Sequence, residues 1–318
     1  MNDKKVSVVI ATYNHERFLS QALESVVKQK VNFDFEVLVG DDCSTDNTAN
    51  IVRKYAELYP NIIVPFIREK NLGMAGNVMD LVLRAKGEYI AFIEGDDYWI
   101  DEKKLQKQID FLDSNLDYIA VFSKCIIVDE NGTRLSEIEK WSGFMKEGGE
   151  YSIKEFQEYI LPGQTATSVY RKIVYSEIEK KLKRAQVDVS QMIDRAQVLC
   201  MLSVGKMYVM NEELSAYRRI MKIESGSWSS KNDFYSVKNV LNYLSGLKDM
   251  EKIAFTLGME LCFDERRNYE LEKLYDNKKE LSKEDFKIIR QALKADYVSK
   301  KTFWKHDFRK KLLTRKDK

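Results

Sequence analysis

Three acidic side chains crowd into four residues directly after a short apolar segment. Glu94, Asp96 and Asp97 follow residues 89–93, a run that is typical of a buried strand. Carboxylates this close repel one another unless a cation lies among them, and their hard oxygen atoms favour Mg²⁺ or Mn²⁺, which also bind substrate phosphates. The cluster predicts a divalent-cation site; a solvated turn of acidic residues is the alternative explanation.

Two further polar clusters follow the first and second apolar segments of the chain. Thr12, Tyr13 and Asn14 come after the first segment, and Asp42 comes after the second. Asp42 can accept a hydrogen bond from the N–H of a nucleotide base, while Thr12 and Tyr13 can hold that base, Tyr13 by stacking. Asp46 belongs to a Ser-Thr-Asp sequence that is typical of a helix N-cap, so we assign it to capping.

Several well-known sequence motifs are absent. The chain has no G-x-G-x-x-G and no G-x-x-x-x-G-K-[ST], which argues against dinucleotide oxidoreductases and P-loop enzymes. It has no G-x-S-x-G, which argues against a serine hydrolase of the α/β type. We therefore expect a metal ion and basic side chains to meet any phosphate charge.

The elements that position these clusters alternate between strands and helices. Four apolar segments, separated by stretches with helical periodicity, predict a β-α-β-α-β-α-β order over the first hundred residues. That order predicts an α/β fold with a mostly parallel central sheet, in which ligands bind beyond the carboxyl ends of the strands. We predict strands at residues 166–170, 207–210 and 214–218, and a helical extension with breaks at Gly246 and Gly258. The predicted domains are residues 1–228, with halves at 1–115 and 116–228, and residues 229–318.

Composition and charge narrow the classes of partner. The 318 residues are 44% hydrophobic and carry a net charge of +2, but the last 20 residues hold nine basic and two acidic side chains. The body is therefore slightly acidic, which argues against nucleic-acid binding. We find no signal peptide and no apolar stretch long enough to span a membrane, so we predict a cytoplasmic protein. The basic tail, with Trp304 and Phe308, predicts either peripheral membrane contact or docking on the preceding helices, and those helices either pack on the body or form a homo-oligomer.

The motifs together resemble glycosyltransferase family 2. The resemblance rests on residues 6–14, on Asp41-Asp42-Cys43-Ser44-Thr45-Asp46, on Asn71-Leu72-Gly73 and on Glu94-Gly95-Asp96-Asp97, in that order and spacing. It is specific over residues 5–115 and is lost beyond residue 230. It implies a GT-A fold, a nucleotide-diphosphate-sugar donor that is most often a UDP-sugar, a Mn²⁺ or Mg²⁺ cofactor and inversion at the anomeric carbon.

The same resemblance implies roles for individual residues. Thr12, Tyr13 and Asn14 correspond to the base pocket and Asp42 to the uracil partner. Arg68 corresponds to a basic donor contact and Asn77 to a donor-side asparagine. Glu94, Asp96 and Asp97 correspond to the D-x-D-D motif that binds ribose and metal, with Glu94 in place of the first aspartate. Which of Asp96 and Asp97 is the metal ligand is left open.

The acceptor side is less well defined. Asp194 resembles the family's general base, with Asp188 as the rival, and Tyr217-Arg218 resembles a later block that is often followed by a histidine, where this chain has Arg219. Residues 140–150, with Trp141 and Phe144, and residues 161–165 are predicted to shape the pocket of a glycan, lipid-linked or glycoprotein acceptor. The alternatives are a non-catalytic nucleotide-sugar-binding scaffold and a sugar nucleotidyltransferase.

Overall fold

The computed structural model describes residues 4–140, 142–185, 193–220, 236–276, 281–295 and 299–305. The chain separates into two compact units, residues 1–183 with 197–220 and residues 184–196 with 221–318. The boundary predicted near residue 228 lies outside the described residues.

The first unit is built on a mixed sheet, which has nine strands within the described residues. In chain order these are β1 (Val6–Thr12), β2 (Phe35–Asp41), β3 (Ile63–Ile67), β4 (Tyr89–Glu94), β5 (Tyr98–Trp99), β6 (Tyr118–Val128), β7 (Gly149–Tyr151), β8 (Val169–Arg171) and β9 (Lys206–Arg218). Their spatial order is β3-β2-β1-β4-β8-β6-β9-β5, and β7 pairs with β9. The first four strands are parallel, which confirms the predicted α/β fold, while β8 lies antiparallel to both β4 and β6.

The helices up to residue 202 connect these strands. They are α1 (Leu19–Val27), α2 (Thr48–Leu58), α3 (Gly73–Arg84), α4 (Lys104–Ser114), α5 (Ser136–Glu139), α6 (Ile153–Gln157), α7 (Lys172–Ala185) and α8 (Ile193–Leu202), with a 3-10 helix at Thr165–Thr167. The predicted strand at 166–170 is wrong in its first half, which forms the 3-10 helix. The two strands predicted at 207–210 and 214–218 are one continuous strand, β9.

Burial on both faces explains why the sequences of the parallel strands are continuous apolar runs. Every residue of β2 is buried, and β1 has one half-buried position. Strands covered on both faces cannot alternate apolar and polar side chains. The apolar stripe of α1, which includes Leu19 and Leu23, and that of α4, which includes Leu105 and Ile109, are buried in the same core.

The second unit contains α9 (Val237–Thr256), α10 (Asp264–Asp276), α11 (Lys283–Ala292) and a helical segment at residues 299–305. Gly246 lies inside α9 and does not break it, so that prediction is wrong, whereas Gly258, at φ +73°, follows the end of α9. Of the tail, Phe303 is buried with its ring 5.6 Å from that of Tyr275. Residues 306–318, which include Phe308, lie outside the described residues. Among the described helices, each is too short or too polar to cross a lipid bilayer.

The first residue of α4, Lys104, is a buried lysine. The Lys104 side chain is inaccessible to solvent, its Nζ donates to Gln108 Oε1 at 2.6 Å, and Nζ lies 4.4 Å from the ring centre of Trp99. Burial disfavours the charged form and lowers the pKa of Lys104 to about 7. The contact with the Trp99 ring offsets part of this cost.

Lys104 makes folding stability dependent on pH. Its pKa is lower in the folded than in the unfolded state, so between pH 7 and pH 10 the unfolded chain binds the additional proton and stability rises with pH. We expect the free energy of unfolding to increase by about 2 kcal/mol more between pH 7 and pH 9 in the native chain than in Lys104→Met, measured by urea denaturation. Lys103→Met, at an exposed neighbouring position, is the control and should keep the native pH dependence. Identical pH dependence in the native chain and Lys104→Met would contradict this reading.

Candidate active site

The polar clusters predicted from the sequence meet at one edge of the sheet. Thr12 lies opposite Asp41 in the parallel pair β1–β2, and Ala11 lies opposite Glu94 in the pair β1–β4. The register continues past the strand ends, because the Asp42 N–H donates to the Thr12 carbonyl at 2.9 Å. The carboxyl ends of three neighbouring strands therefore form a single polar rim.

The loop after β1 is joined to the loop after β2 by side-chain hydrogen bonds. The Asn14 N–H donates to Ser44 Oγ at 2.9 Å, and Asn14 Oδ1 accepts from the Thr45 N–H at 2.9 Å. Asp46 accepts from the N–H of Glu16 and from that of Thr48, the first residue of α2, but it lies one position before the N-cap, which is Asn47. Asn14 thus links the two loops through hydrogen bonds. Its contact with a nucleotide stays a prediction.

Tyr13 and Thr12 occupy the same rim with opposite exposure. Tyr13 is 45% exposed, so its ring is available for stacking. Thr12 is buried, and its Oγ1 has no hydrogen-bond partner among the described residues. A buried hydroxyl without a partner is costly, and a bound ligand would satisfy it.

Asp42 is buried, and the protein already uses part of its hydrogen-bonding capacity. Its Oδ1 accepts from the Leu72 N–H at 2.7 Å, and its carbonyl accepts from Asn71 Nδ2 at 3.0 Å. Asn71 Oδ1 in turn accepts from the N–H of Gly73, which begins α3 at φ +75°. Asp42 therefore fastens the start of α3 to the rim, a role that the sequence did not reveal.

Arg68 and Asn77 lie behind this rim in a polar network. Asn77 is buried and donates through Nδ2 to the Gly40 carbonyl at 2.8 Å. A Cβ atom on Gly40 would lie 2.3 Å from Asn77 Oδ1, so only glycine fits there. Arg68 Nη2 lies 2.6 Å from Asp80 Oδ2, and Arg68 Nε donates to Asn77 Oδ1 at 3.4 Å. Hydrogen bonds from Arg84 and then Arg68 lower the pKa of Asp80.

Gly95 brings the acidic cluster into contact with the first loop. A Cβ atom on Gly95 would lie 2.6 Å from Thr12 Oγ1 and 2.7 Å from His15 Nδ1, so a side chain is excluded at this position. His15 Nε2 lies 4.0 Å from Asp96 Oδ2, and Glu94 Oε2 accepts from Gln164 Nε2 at 3.2 Å. Neither His15 nor Gln164 was predicted as a contact of the cluster, because both come from loops distant in the chain.

The three carboxylates differ in their surroundings. The Asp96 side chain is 22% exposed, whereas Asp97 is buried and its Oδ1 accepts from the Arg218 N–H at 2.7 Å. Burial, followed by the charges of Asp96 and Glu94, raises the pKa of Asp97 well above its usual range. Asp97 Oδ2 is buried and has no hydrogen-bond partner among the described residues.

A divalent cation fits this chemistry. Within the described residues, no group of three or more His, Cys, Asp or Glu side chains is arranged to hold a metal ion. Mg²⁺ is commonly held by one or two carboxylates together with substrate phosphates. The crowding of Glu94, Asp96 and Asp97, with one orphaned buried oxygen, suits a cation that arrives with such a substrate.

Arg218 holds the acidic loop in place. Its guanidinium donates to the carbonyls of Asp96 at 2.8 Å and Asp129 at 3.1 Å, and to Gln21 Oε1 at 2.7 Å. It also lies 4.6 Å from the ring centre of Phe18. These contacts, together with its burial, commit Arg218 to protein partners rather than to a phosphate.

The predicted acceptor residues are only partly described. Asp194 lies in the first turn of α8, in the stretch that belongs to the second unit, and desolvation raises the pKa of its carboxyl. The rival, Asp188, and Trp141 lie outside the described residues. The Phe144 ring packs edge-on at 6.4 Å from that of Tyr217. Burial and the charges of Asp97, Glu94 and Asp96 raise the pKa of Tyr217.

Comparison with known proteins agrees with this geometry. The model of glycosyl transferase family 2 matches residues 7–175. The chain belongs to that family. A glycosyltransferase of Methanocaldococcus jannaschii, MJ1057, is 32% identical over 188 residues, which are 58% of this chain and 63% of that protein. The chain spans 38% of the length of the first curated relatives that it matches.

Two solved structures share the fold. The Staphylococcus aureus TarS fragment 1–349 in complex with UDP-GlcNAc has a TM-score of 0.58 at 21% identity, covering 95% of this chain and 79% of that one. The mannosyltransferase PcManGT of Pyrobaculum calidifontis, in complex with GDP-Man and Mn²⁺, has a TM-score of 0.52 at 15% identity, covering 96% and 84%. These neighbours confirm the GT-A fold that the sequence predicted.

Asp97 carries an energetic cost that a single substitution should remove. The pKa of its carboxyl is higher in the folded than in the unfolded state. Above about pH 4 the Asp97 carboxyl therefore loses its proton more readily in the unfolded chain, and the free energy of unfolding decreases as pH rises. Asp97→Asn keeps an oxygen for the Arg218 N–H and removes the charge, and we expect it to stabilise the fold by about 1–3 kcal/mol at pH 7. Thermal and urea unfolding measure the effect.

The control is Asp101→Asn, since Asp101 lies in the same segment but pairs with Lys107 at 2.9 Å and has a lowered pKa. That variant should be no more stable than the native chain. A destabilised Asp97→Asn would show that the Asp97 charge is satisfied within the fold.

Proposed function

We propose that this chain is an inverting glycosyltransferase that moves a sugar from a UDP-sugar to a hydroxyl group of a glycan, lipid-linked or glycoprotein acceptor. The observation that carries the proposal is the single rim at which Thr12, Asp42 and the acidic cluster meet. Family membership and the two neighbours in complex with nucleotide sugars support it.

The donor side of the proposal assigns the rim residues to the nucleotide. The exposed ring of Tyr13 would stack on the base, and the unpartnered Thr12 Oγ1 would hydrogen-bond to it. Asp42 has one oxygen fixed by Leu72, and we assign its carboxylate to the base N–H. Arg68 would contact the donor, and Asn77 would hold the Arg68 side chain in place by accepting its hydrogen bond.

Asp96 and Asp97 would hold the metal ion, and Glu94 would contact the donor beside it. A bound Mn²⁺ or Mg²⁺ neutralises charge that develops on a departing diphosphate. Because Asp97 Oδ1 accepts from the Arg218 backbone, its Oδ2 is the oxygen left for a cation. Asp96 is the more exposed of the two and would be reached first from solvent.

The acceptor hydroxyl must lose a proton as it attacks the anomeric carbon. The Asp194 carboxylate would accept that proton. As the hydroxyl oxygen bonds to the anomeric carbon, the bond from this carbon to the diphosphate oxygen breaks, and the diphosphate leaves with the electron pair. The raised pKa of Asp194 suits a general base, since a more basic carboxylate takes a proton more readily.

The donor is identified by measuring turnover directly. The full chain is incubated with a panel of UDP-, GDP- and CDP-sugars and Mn²⁺, and the released nucleotide diphosphate is measured. We expect release from a UDP-sugar, complete loss of it in excess chelator and recovery on adding Mn²⁺ or Mg²⁺, because the crowded carboxylates need a cation. When pyrophosphate is added with the UDP-sugar, formation of UTP and sugar 1-phosphate instead of nucleotide diphosphate would indicate a nucleotidyltransferase, and binding without any turnover would indicate a scaffold. Undiminished release in chelator would contradict the metal assignment.

Substitution of the base separates chemistry from binding. Asp194→Asn should lower kcat by about 10²–10⁴-fold while leaving the Kd for the donor close to the native value. Asp188→Asn is the matched comparison, since Asp188 is the rival carboxylate of the same stretch of sequence. Near-native kcat in Asp194→Asn together with a low kcat in Asp188→Asn would transfer the role to Asp188.

A further inference from the structure

Gln164 links the acidic cluster to the segment that precedes β8. Its Oε1 accepts from the Ala166 N–H at 2.6 Å, and its Nε2 donates to Glu94 Oε2 at 3.2 Å. A backbone N–H can only donate, and an ionised carboxylate can only accept. Both contacts therefore require the same orientation of the amide, with the NH₂ group turned toward Glu94.

The segment that carries Gln164 is fastened to buried side chains of three other elements. The Ala166 carbonyl accepts from Trp99 Nε1 at 2.9 Å and from Ser215 Oγ at 3.0 Å. The Thr167 carbonyl accepts from Gln108 Nε2 at 2.8 Å. Trp99 belongs to β5, Ser215 to β9 and Gln108 to α4, and each of the three is buried. Gln164 is therefore held on a rigid support.

Further contacts hold the backbone of this segment on both sides of Gln164. Thr167 Oγ1 donates to the Gln164 carbonyl at 2.6 Å. A Cβ atom on Gly163 would lie 2.4 Å from the same Thr167 Oγ1. The Gln108 amide that supports Thr167 is itself oriented by Lys104 Nζ, which donates to its Oε1 at 2.6 Å. A chain of hydrogen bonds thus runs from the buried Lys104 to Gln164.

Glu94 needs such a support more than an aspartate would. Its side chain has one rotatable bond more than the aspartate that the family places first in this motif, so fixing its carboxylate costs more conformational entropy. A hydrogen bond from a preorganised donor restricts the carboxylate before any ligand binds, which lowers the cost of binding.

We propose that Gln164 is a positioning residue of the donor site, which holds the Glu94 carboxylate in the orientation that receives the nucleotide. This role rests on the proposed function, because it assumes that Glu94 contacts the donor. It assigns to residues 161–165 a part in donor binding in addition to their predicted place near the acceptor.

The test uses Gln164→Glu, which retains an oxygen for the Ala166 N–H but turns a second oxygen, instead of NH₂, toward Glu94. The full chain is titrated with UDP in Mn²⁺ by calorimetry. We expect the Kd for UDP to rise about tenfold or more, because a charge-assisted hydrogen bond is replaced by repulsion. With the donor sugar that turns over, KM should rise in parallel while kcat stays within about threefold, as expected for lost ground-state binding.

Gln106→Glu is a closely matched control. Gln106 Oε1 accepts from the Asn32 N–H at 2.8 Å, and its Nε2 donates to Asp110 Oδ1 at 2.8 Å, so the exchange makes the same change in hydrogen bonding and charge. Asn32 precedes β2, at the edge of the sheet opposite the rim. We expect Gln106→Glu to leave the Kd for UDP and KM at native values.

A second variant covers the case in which Gln164→Glu folds poorly. Gln164→Met has a similar length and lacks both polar atoms, so it should lower the melting temperature and weaken UDP binding together. Native UDP affinity in either folded variant would overturn the positioning role and leave Gln164 as a cap of the 3-10 helix. Absence of UDP binding by the native chain would instead overturn the proposed donor site, and with it this role.

Discussion

The crowding of three carboxylates at the end of β4 is the constraint on which the rest of the site depends. Asp97 is buried beside the charges of Asp96 and Glu94, which is unfavourable in the absence of a cation. The fold holds this arrangement through Arg218, which fixes Asp97 with its backbone and the Asp96 carbonyl with its guanidinium. The charge of these carboxylates therefore reduces the stability of the fold, which is common at functional sites.

Polar atoms that lack partners lie at the same rim as the carboxylates. Within the described residues, the orphaned buried atoms of the rim include Thr12 Oγ1, His15 Nδ1 and Asp97 Oδ2. Gly95 contacts two of these three residues, since a Cβ atom there would collide with Thr12 and His15. Each unsatisfied buried group costs about 1–3 kcal/mol, so several in one place point to a ligand rather than to defects of packing.

Much of the fold could be predicted because buried parallel strands require continuous apolar runs. The predicted order of four strands and three intervening helices is the order of β1 to β4 and α1 to α3 in the structure. The prediction failed where tertiary hydrogen bonds decide the backbone. Residues 166 and 167 were predicted to begin a strand but belong to a 3-10 helix, because Trp99, Ser215 and Gln108 donate to its carbonyls. Gly246 lies within α9 because packing outweighs its low helix propensity.

The convergence of these residue types at one edge of the sheet could be predicted, but not which of their polar atoms lack a partner within the fold. Asp42 and Asn77 follow from the family resemblance, yet only the structure shows that Leu72 occupies one oxygen of Asp42 and that Asn77 bonds to the Gly40 carbonyl. Gln164 escaped assignment as a contact of the acidic cluster because its partner, Glu94, lies 70 residues away in the chain. Sequence spacing identifies groups that converge at strand ends. Which of their hydrogen-bonding atoms stay without a partner depends on long-range contacts, and those contacts leave no local pattern in the sequence.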